Sequence, residues 1–193
     1  EAVYGLVELF GEQVKGARLV ANPGCYPTSA LLALAPLAKA GWIDLETISI
    51  VSMSGVSGAG ATPKPMYHFP HCVENVQAYG YPGHRHTPEI EQGLSLLLGQ
   101  EAPPISFSPH LVPMSRGILT HASGRAAEPV DQGDLIELYR EFYRQAPFVR
   151  VLADRLPDTK SVAGSNFCDL APRYDERSRR IQVTSVIDNL VKG

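Results

Sequence analysis

The segment from Arg18 to Gly41 constrains the fold more than any other. Arg18-Leu19-Val20-Ala21 is short, apolar and strand-like, and Asn22-Pro23-Gly24 turns the chain directly after it. Pro27 suits the first position of a helix, where its missing N–H costs no hydrogen bond. Leu31, Leu34 and Leu37 then recur at helical spacing, and Gly41 makes a good stop. Pro36 lies inside that run and is expected to kink or split the helix.

Strand-like and helical segments alternate along the rest of the chain without a repeat. Leu45 to Met53 is rich in β-branched residues and reads as a strand, ending in the small-residue loop Ser54 to Gly60. Residues 61–83 carry Pro63, Pro65, Pro70 and Pro82 and little periodicity, the mark of a functional or disordered excursion. Thr87-Pro88-Glu89 opens a helix as N-cap, N1 proline and early acid. Ile90, Leu94 and Leu97 form its buried stripe, and Gly99 ends it. Strands are expected at 105–108 and 117–126, and a helix over 134–145 with Leu135, Leu138 and Phe142 inward. Further strands fall at 148–152, 166–170 and 181–187, the last two joined by a charged turn from Arg173 to Arg180. This order predicts an α+β layer with a mixed sheet.

A chain of 193 residues is expected to form one domain with a sizeable core. Lysine and arginine total 17 against 20 acids, a net charge of −3. There is no basic excess with which to bind nucleic acid. Cys25, Cys72 and Cys168 are odd in number and widely spaced, which argues against a disulfide framework and for a reducing, cytoplasmic setting. No apolar run approaches the ~18 residues that span a bilayer, so no membrane partner is expected. The chain opens on Glu1 rather than methionine, and Asp188 to Gly193 looks like a helix barely begun. A piece of a longer protein is expected.

Cys25 stands where a strand end meets a helix start. Unpaired backbone N–H groups and the positive end of the helix dipole lower a thiol pKa there, and could hold an oxyanion. A buried, inert cysteine is the competing reading; the flanking Pro-Gly and Pro make the nucleophile as good a one. Such a nucleophile needs a proton carrier. His84-Arg85-His86 precedes a helix, and in an extended segment both histidines would project to one face; an exposed basic loop is the plainer alternative. Arg116 could clamp a carboxylate or phosphate through its planar fork, or be a surface arginine. The loop from Ser54 to Gly60 is neither a dinucleotide fingerprint nor a P-loop, and could be an anion nest or a flexible linker. No Gly-x-Gly-x-x-Gly follows a strand, so no dinucleotide-binding unit is expected within this chain. His68, His71, Cys72, His84 and His86 could supply a zinc site, but there is no Cys-x-x-Cys pair and adjacent His71-Cys72 share a metal poorly. No metal is expected, and Cys72 and Cys168 read as structural.

Taken together, these segments resemble one family. Asn22-Pro23-Gly24-Cys25-Tyr26-Pro27-Thr28 resembles the active-site motif of the N-acetyl-γ-glutamyl-phosphate reductases of arginine biosynthesis. Ser54 to Gly60, His84 to Ile90, Ser115 to Ile118 and Asp188 to Gly193 match further motifs of that family in order. The resemblance spans nearly the whole chain and groups it with the aspartate-semialdehyde and glyceraldehyde-phosphate dehydrogenases. It implies a glyceraldehyde-3-phosphate dehydrogenase-like C-terminal domain, with a largely antiparallel mixed sheet and helices packed on one face. It implies that residues 1–193 are the catalytic and dimerisation domain of a homo-oligomer whose NADP-binding Rossmann domain lies outside this chain.

The implied reaction is NADPH-dependent reduction of N-acetyl-γ-glutamyl phosphate, a small-molecule acyl phosphate, to N-acetylglutamate 5-semialdehyde with release of phosphate. Cys25 would carry the thioester, and His86 would act as acid and base, with His84 assisting or binding phosphate. Asn22, His84 and Arg116 match the substrate side. Ser57, Gly58 and Asn189 match positions that approach the cofactor, Asn189 near the nicotinamide. In the family a basic residue usually follows the glycine-rich loop directly; here Ala61-Thr62-Pro63 intervenes before Lys64, which puts that anion contact in question. The alternatives are an aminoadipate or aspartate acyl phosphate as substrate, a Cys-His hydrolase, or a piece that serves only in oligomerisation.

Overall fold

The computed structural model describes residues 2–193; Glu1, on which the expectation of a longer protein partly rests, lies outside them. In chain order the elements are β1 (Val3–Tyr4), α1 (Val7–Val14), β2 (Val20–Ala21), α2 (Cys25–Ala40), β3 (Ser49–Ser54), α3 (Phe69–Cys72) and β4 (Gln77–Ala78). They continue with α4 (Thr87–Leu98), β5 (Ser106–Leu111), β6 (Ile118–Arg125), α5 (Gln132–Phe142), β7 (Val149–Val151), β8 (Cys168–Asp175) and β9 (Arg180–Ile187). Seven strands form one sheet in the order β4-β5-β3-β6-β9-β8-β7. The β3–β5 and β7–β8 pairs are parallel and the other four antiparallel. This is the expected α+β layer with a mixed, largely antiparallel sheet. β1 and β2 stand apart as a parallel pair.

Helix α2 is apolar on every side, and Tyr26 to Ala38 are buried. A helix of that composition has to be enclosed. The sheet covers one side of it, at β6, β9 and β8, and α1, α4 and α5 pack around the rest. Leu31, Leu32, Leu34 and Leu37 are fully buried, each stabilising the fold by about 1.5–3 kcal/mol. Gly93 of α4 permits the close approach, since a Cβ there would collide with the Leu31 side chain.

Pro36 neither kinks nor splits α2, contrary to the sequence expectation. A proline removes the donor that the carbonyl four residues earlier would receive. The Tyr143 hydroxyl, just past α5, donates to that Leu32 carbonyl instead, at 2.6 Å. One turn earlier, Tyr139 donates to the Ala33 carbonyl. Burial holds both phenols well above their usual range, so they remain donors. The helix also starts at Cys25 with Gly24 as its N-cap, which puts Pro27 third rather than first. First-turn N–H groups have no helical acceptor, so the proline is tolerated equally well there.

Other differences have local causes. Thr87 is the first residue of α4 rather than its cap, and its buried hydroxyl has no partner among the described residues. β8 runs on to Asp175, through Pro172. The proline is tolerated because β7 pairs no further than Leu170 and leaves that edge open. The turn after it shrinks to residues 176–179, with Arg179 at φ 53°. The excursion over 61–83 contains α3 and β4, and α1 and β1 were equally unannounced. From Asp188 the chain makes one turn, in which the N–H groups of Val191, Lys192 and Gly193 converge on the Asp188 carbonyl. Lys192 pairs with Glu8 of α1 and ties that turn down. Among the described residues no helix is long and apolar enough to cross a membrane.

Strand register decides where the site forms. Ser54 at the end of β3 lies opposite Leu111 and Ile118, and Ile118 lies opposite Ile187. The loops after β3, before β6 and after β9 therefore leave the sheet at the same end. The N-terminus of α2 meets them there, for a Cβ on Gly193 would come within 2.6 Å of Cys25 Cβ.

Candidate active site

Cys25 opens α2 beside a cavity of about 410 Å³. The backbone N–H groups of Tyr26 and Cys25 favour its thiolate, as a helix N-terminus should, and Arg85 adds to them. Burial outweighs all three and pushes the thiol above its ordinary value. The lowered pKa expected from the sequence is therefore absent, because the dipole acts on a group largely withdrawn from water. A base has to take the proton.

His86 lines the same cavity. It owes its place to Gly24, where a Cβ would lie 2.6 Å from His86 Nε2. With φ −65° and ψ 156° the glycine backbone is ordinary, so the requirement is one of space. Burial is the chief cause that pushes the His86 pKa down to about 4; Glu89 opposes it, and His84 and Arg85 reinforce it. The ring is neutral near pH 7, and its buried Nδ1 has no partner among the described residues.

His84 is held differently. Its Nδ1 accepts the His86 backbone N–H at 3.1 Å, which leaves Nε2 as the protonated nitrogen of the neutral ring. Burial and then Arg85 lower its pKa. The two rings stand edge-on with centroids 4.9 Å apart, and both stand edge-on to Tyr26. A turn about Arg85, rather than an extended strand, brings them together.

Glu89 joins this group, though its sequence position marked it only as an early helix acid. Its Oε1 accepts the Gly24 N–H at 2.7 Å and the Tyr4 hydroxyl at 2.9 Å. An acid at the third helical position commonly reaches back to its own N-terminus; this one reaches the N-terminus of α2. That spacing was the available signal, and its target was not visible. Tyr26 and Tyr79 were also missed. Their hydroxyls meet at 2.8 Å and fasten the 61–83 excursion over the site.

The remaining candidates separate into two groups. Asn189 Oδ1 accepts the Gly117 N–H at 2.7 Å, and its Nδ2 donates to Ser57 Oγ at 3.1 Å. A Cβ on Gly58 would lie 3.3 Å from that Nδ2, so Ser57, Gly58 and Asn189 converge; Gly58 also lines the Cys25 cavity. Arg116 and Asn22 do not line it. The Arg116 guanidinium lies 3.4 Å from the buried Asp188 carboxylate, and Asn22 borders a neighbouring hollow with Lys192 and Gly193. Among the described residues no three His, Cys, Asp or Glu side chains are grouped to hold a metal. Cys72 donates to the Met66 carbonyl at 3.0 Å, and burial pushes Cys168 up to about 12.

A thiol at a helix N-terminus shares its cavity with a neutral histidine on an α+β layer, a pairing able to carry covalent acyl chemistry. The model of the semialdehyde dehydrogenase dimerisation domain matches residues 25–189, and the chain belongs to that family. N-acetyl-gamma-glutamyl-phosphate reductases from Symbiobacterium thermophilum and Pelobacter propionicus are each 54% identical to it, over 100% of this chain and 56% of their own length. The chain thus spans little more than half of these curated relatives. Among solved structures, aspartate semialdehyde dehydrogenase II from Vibrio cholerae superposes with a TM-score of 0.76 at 16% identity, over 100% of this chain and 64% of that one. The aspartate semialdehyde dehydrogenase from Francisella tularensis gives 0.77 at 14% identity, over 100% and 67%. At such identities these likenesses speak for the fold.

Proposed function

We propose that the protein containing this chain reduces N-acetyl-γ-glutamyl phosphate to N-acetylglutamate 5-semialdehyde, with NADPH as reductant and release of phosphate. The observation that carries the reading is Cys25 at the N-terminus of α2, sharing its cavity with a neutral His86, in a chain whose relatives bear that name. His86 takes the Cys25 proton, and the thiolate attacks the acyl carbon. The bond from that carbon to the phosphate oxygen breaks, phosphate leaves with the electron pair, and a thioester remains on Cys25. The N–H groups of the first turn of α2 face the charge that develops. In this reading His84 donates from Nε2 to the substrate, its Nδ1 being occupied by the His86 N–H.

The residues present fit the nicotinamide end of NADP. Gly58 offers bare backbone that a side chain would fill, bordered by the Asn189 amide and the Ser57 hydroxyl. When bound, NADPH supplies a hydride to the thioester carbon. His86, protonated in the first step, stands by the oxygen that gains charge. It returns the proton to Cys25 when the carbon–sulfur bond breaks and the aldehyde leaves. In the same reading residues 1–193 are the catalytic and dimerisation domain of a cytoplasmic homo-oligomer. The NADP-binding Rossmann domain belongs to the rest of the protein.

Cys25→Ser in the full-length protein is expected to abolish NADPH oxidation with the acyl phosphate. A near-normal rate of semialdehyde formation overturns the mechanism. Aspartyl and aminoadipyl phosphates assayed beside the N-acetylglutamyl compound decide the substrate.

A further inference from the structure

The wall of the Cys25 cavity carries two cations, Lys64 and Arg85, and among its described residues no aspartate or glutamate. Neither cation takes part in an ion pair among the described residues. Unpaired cations turned to a concave site attract anionic ligands from solution. The two come from separate segments. Arg85 lies between the two histidines that share the cavity with Cys25, and favours its thiolate; Lys64 enters the wall with Tyr67 from the excursion between β3 and α4.

Lys64 is exposed, yet its backbone is braced. Pro63 precedes it and Pro65 follows it. A residue before proline is confined to extended conformations, and Lys64 sits at φ −136° and ψ 150°. Its carbonyl accepts the Tyr67 N–H at 2.9 Å, and Tyr67 lines the same cavity. With the main chain fixed in this way, only the side chain remains to be ordered when an anion binds.

We infer that Arg85 and Lys64 are the two poles of one anion-recognition site: Arg85, beside the reacting sulfur, takes the phosphoryl group, and Lys64 takes the carboxylate at the far end of the substrate. Lys64 thereby selects acyl phosphates that carry a second anion. This assignment rests on the function proposed above.

The reverse reaction separates the two poles, because phosphate and the carboxylate-bearing semialdehyde then arrive as different molecules. The test uses the full-length protein with NADP, inorganic phosphate and N-acetylglutamate 5-semialdehyde, following NADPH formation. Lys64→Met is expected to raise the KM for the semialdehyde about tenfold and to leave the KM for phosphate within about twofold. Lys64→Arg, which keeps the charge, is expected to recover most of the loss. Arg85→Met is expected to show the opposite pattern, with phosphate affected more. A Lys64→Met enzyme with an unchanged KM for the semialdehyde, or with the rise in phosphate instead, overturns the assignment. A wild-type protein that oxidises no semialdehyde overturns the proposed function itself, and the assignment falls with it.

Discussion

Replacing Gly24 by alanine probes the site at its tightest point. The added Cβ would lie 2.6, 2.9 and 3.0 Å from His86 Nε2, Cε1 and Cδ2. Normal carbon contacts begin at about 3.5 Å, so the ring has to retreat by roughly 1 Å. It has little room, being edge-on to Tyr26 at 5.8 Å and to His84 at 4.9 Å. The backbone raises no objection, since φ −65° and ψ 156° suit alanine, and losing a glycine stiffens the unfolded chain by about 0.4–1 kcal/mol. Overpacking costs about 1–3 kcal/mol, so the steric effect wins and the variant loses about 1–2 kcal/mol. For a chain of this size that lowers Tm by about 2–8 °C. Activity should fall much further than stability, since misplacing a catalytic group by about 1 Å can cost on the order of 100-fold in rate. Thermal unfolding by circular dichroism and kcat for semialdehyde formation are measured on the same full-length preparation. A variant matching wild type in both would refute the packing of His86 on Gly24.

Three further outcomes follow from the same structure. Tyr143→Phe should destabilise the protein by about 1–3 kcal/mol in urea unfolding, and by more than Tyr139→Phe, because Pro36 gives the Leu32 carbonyl no other donor; equal losses would contradict that account. Alkylation of Cys25 by iodoacetamide should accelerate with pH around a midpoint above the ordinary thiol value of about 8.5, and a midpoint below it would mean that the helix N-terminus prevails over burial. His86 titrates at about 4 when folded and near 6.5 when unfolded, so the unfolded chain takes the proton first. Its stabilising contribution is present above pH ~6.5 and is lost as the pH falls towards 4. Urea unfolding at pH 7 and pH 5 should show a smaller acid loss in His86→Gln than in wild type; equal losses would refute the assignment.

The legible parts of the fold were those where local pattern and packing agree. In α4 the stripe Ile90 and Leu94 is buried as its spacing requires, and Gly99 stops the helix at φ 71°. The position of Cys25 at a strand–turn–helix joint was legible for the same reason. What escaped depends on distant partners. Pro36 survives inside α2 because the Leu32 carbonyl it leaves without a donor receives a hydroxyl from 111 residues further along the chain than Leu32, and Pro172 survives in β8 because its neighbour β7 is short. Glu89 has its partner 65 residues back, at Gly24. The direction of the Cys25 shift was misjudged because a dipole can be read from three residues, whereas burial belongs to the whole fold.

Burial raises the Cys25 thiol and lowers His86, and both shifts oppose a thiolate–imidazolium pair. The resting pair is therefore neutral, unlike that of a cysteine activated in advance by a charged neighbour. A thiol kept protonated reacts slowly with oxidants, since the thiolate is the reactive form. The first-turn N–H groups and Arg85 favour the thiolate without prevailing over burial. In the proposed reaction, bound substrate brings an electrophilic carbon against the sulfur. Charge then separates as the carbon–sulfur bond forms. Gly24, shared by the cap of α2, the His86 ring and the Glu89 carboxylate, keeps the thiol and its base in register for that moment.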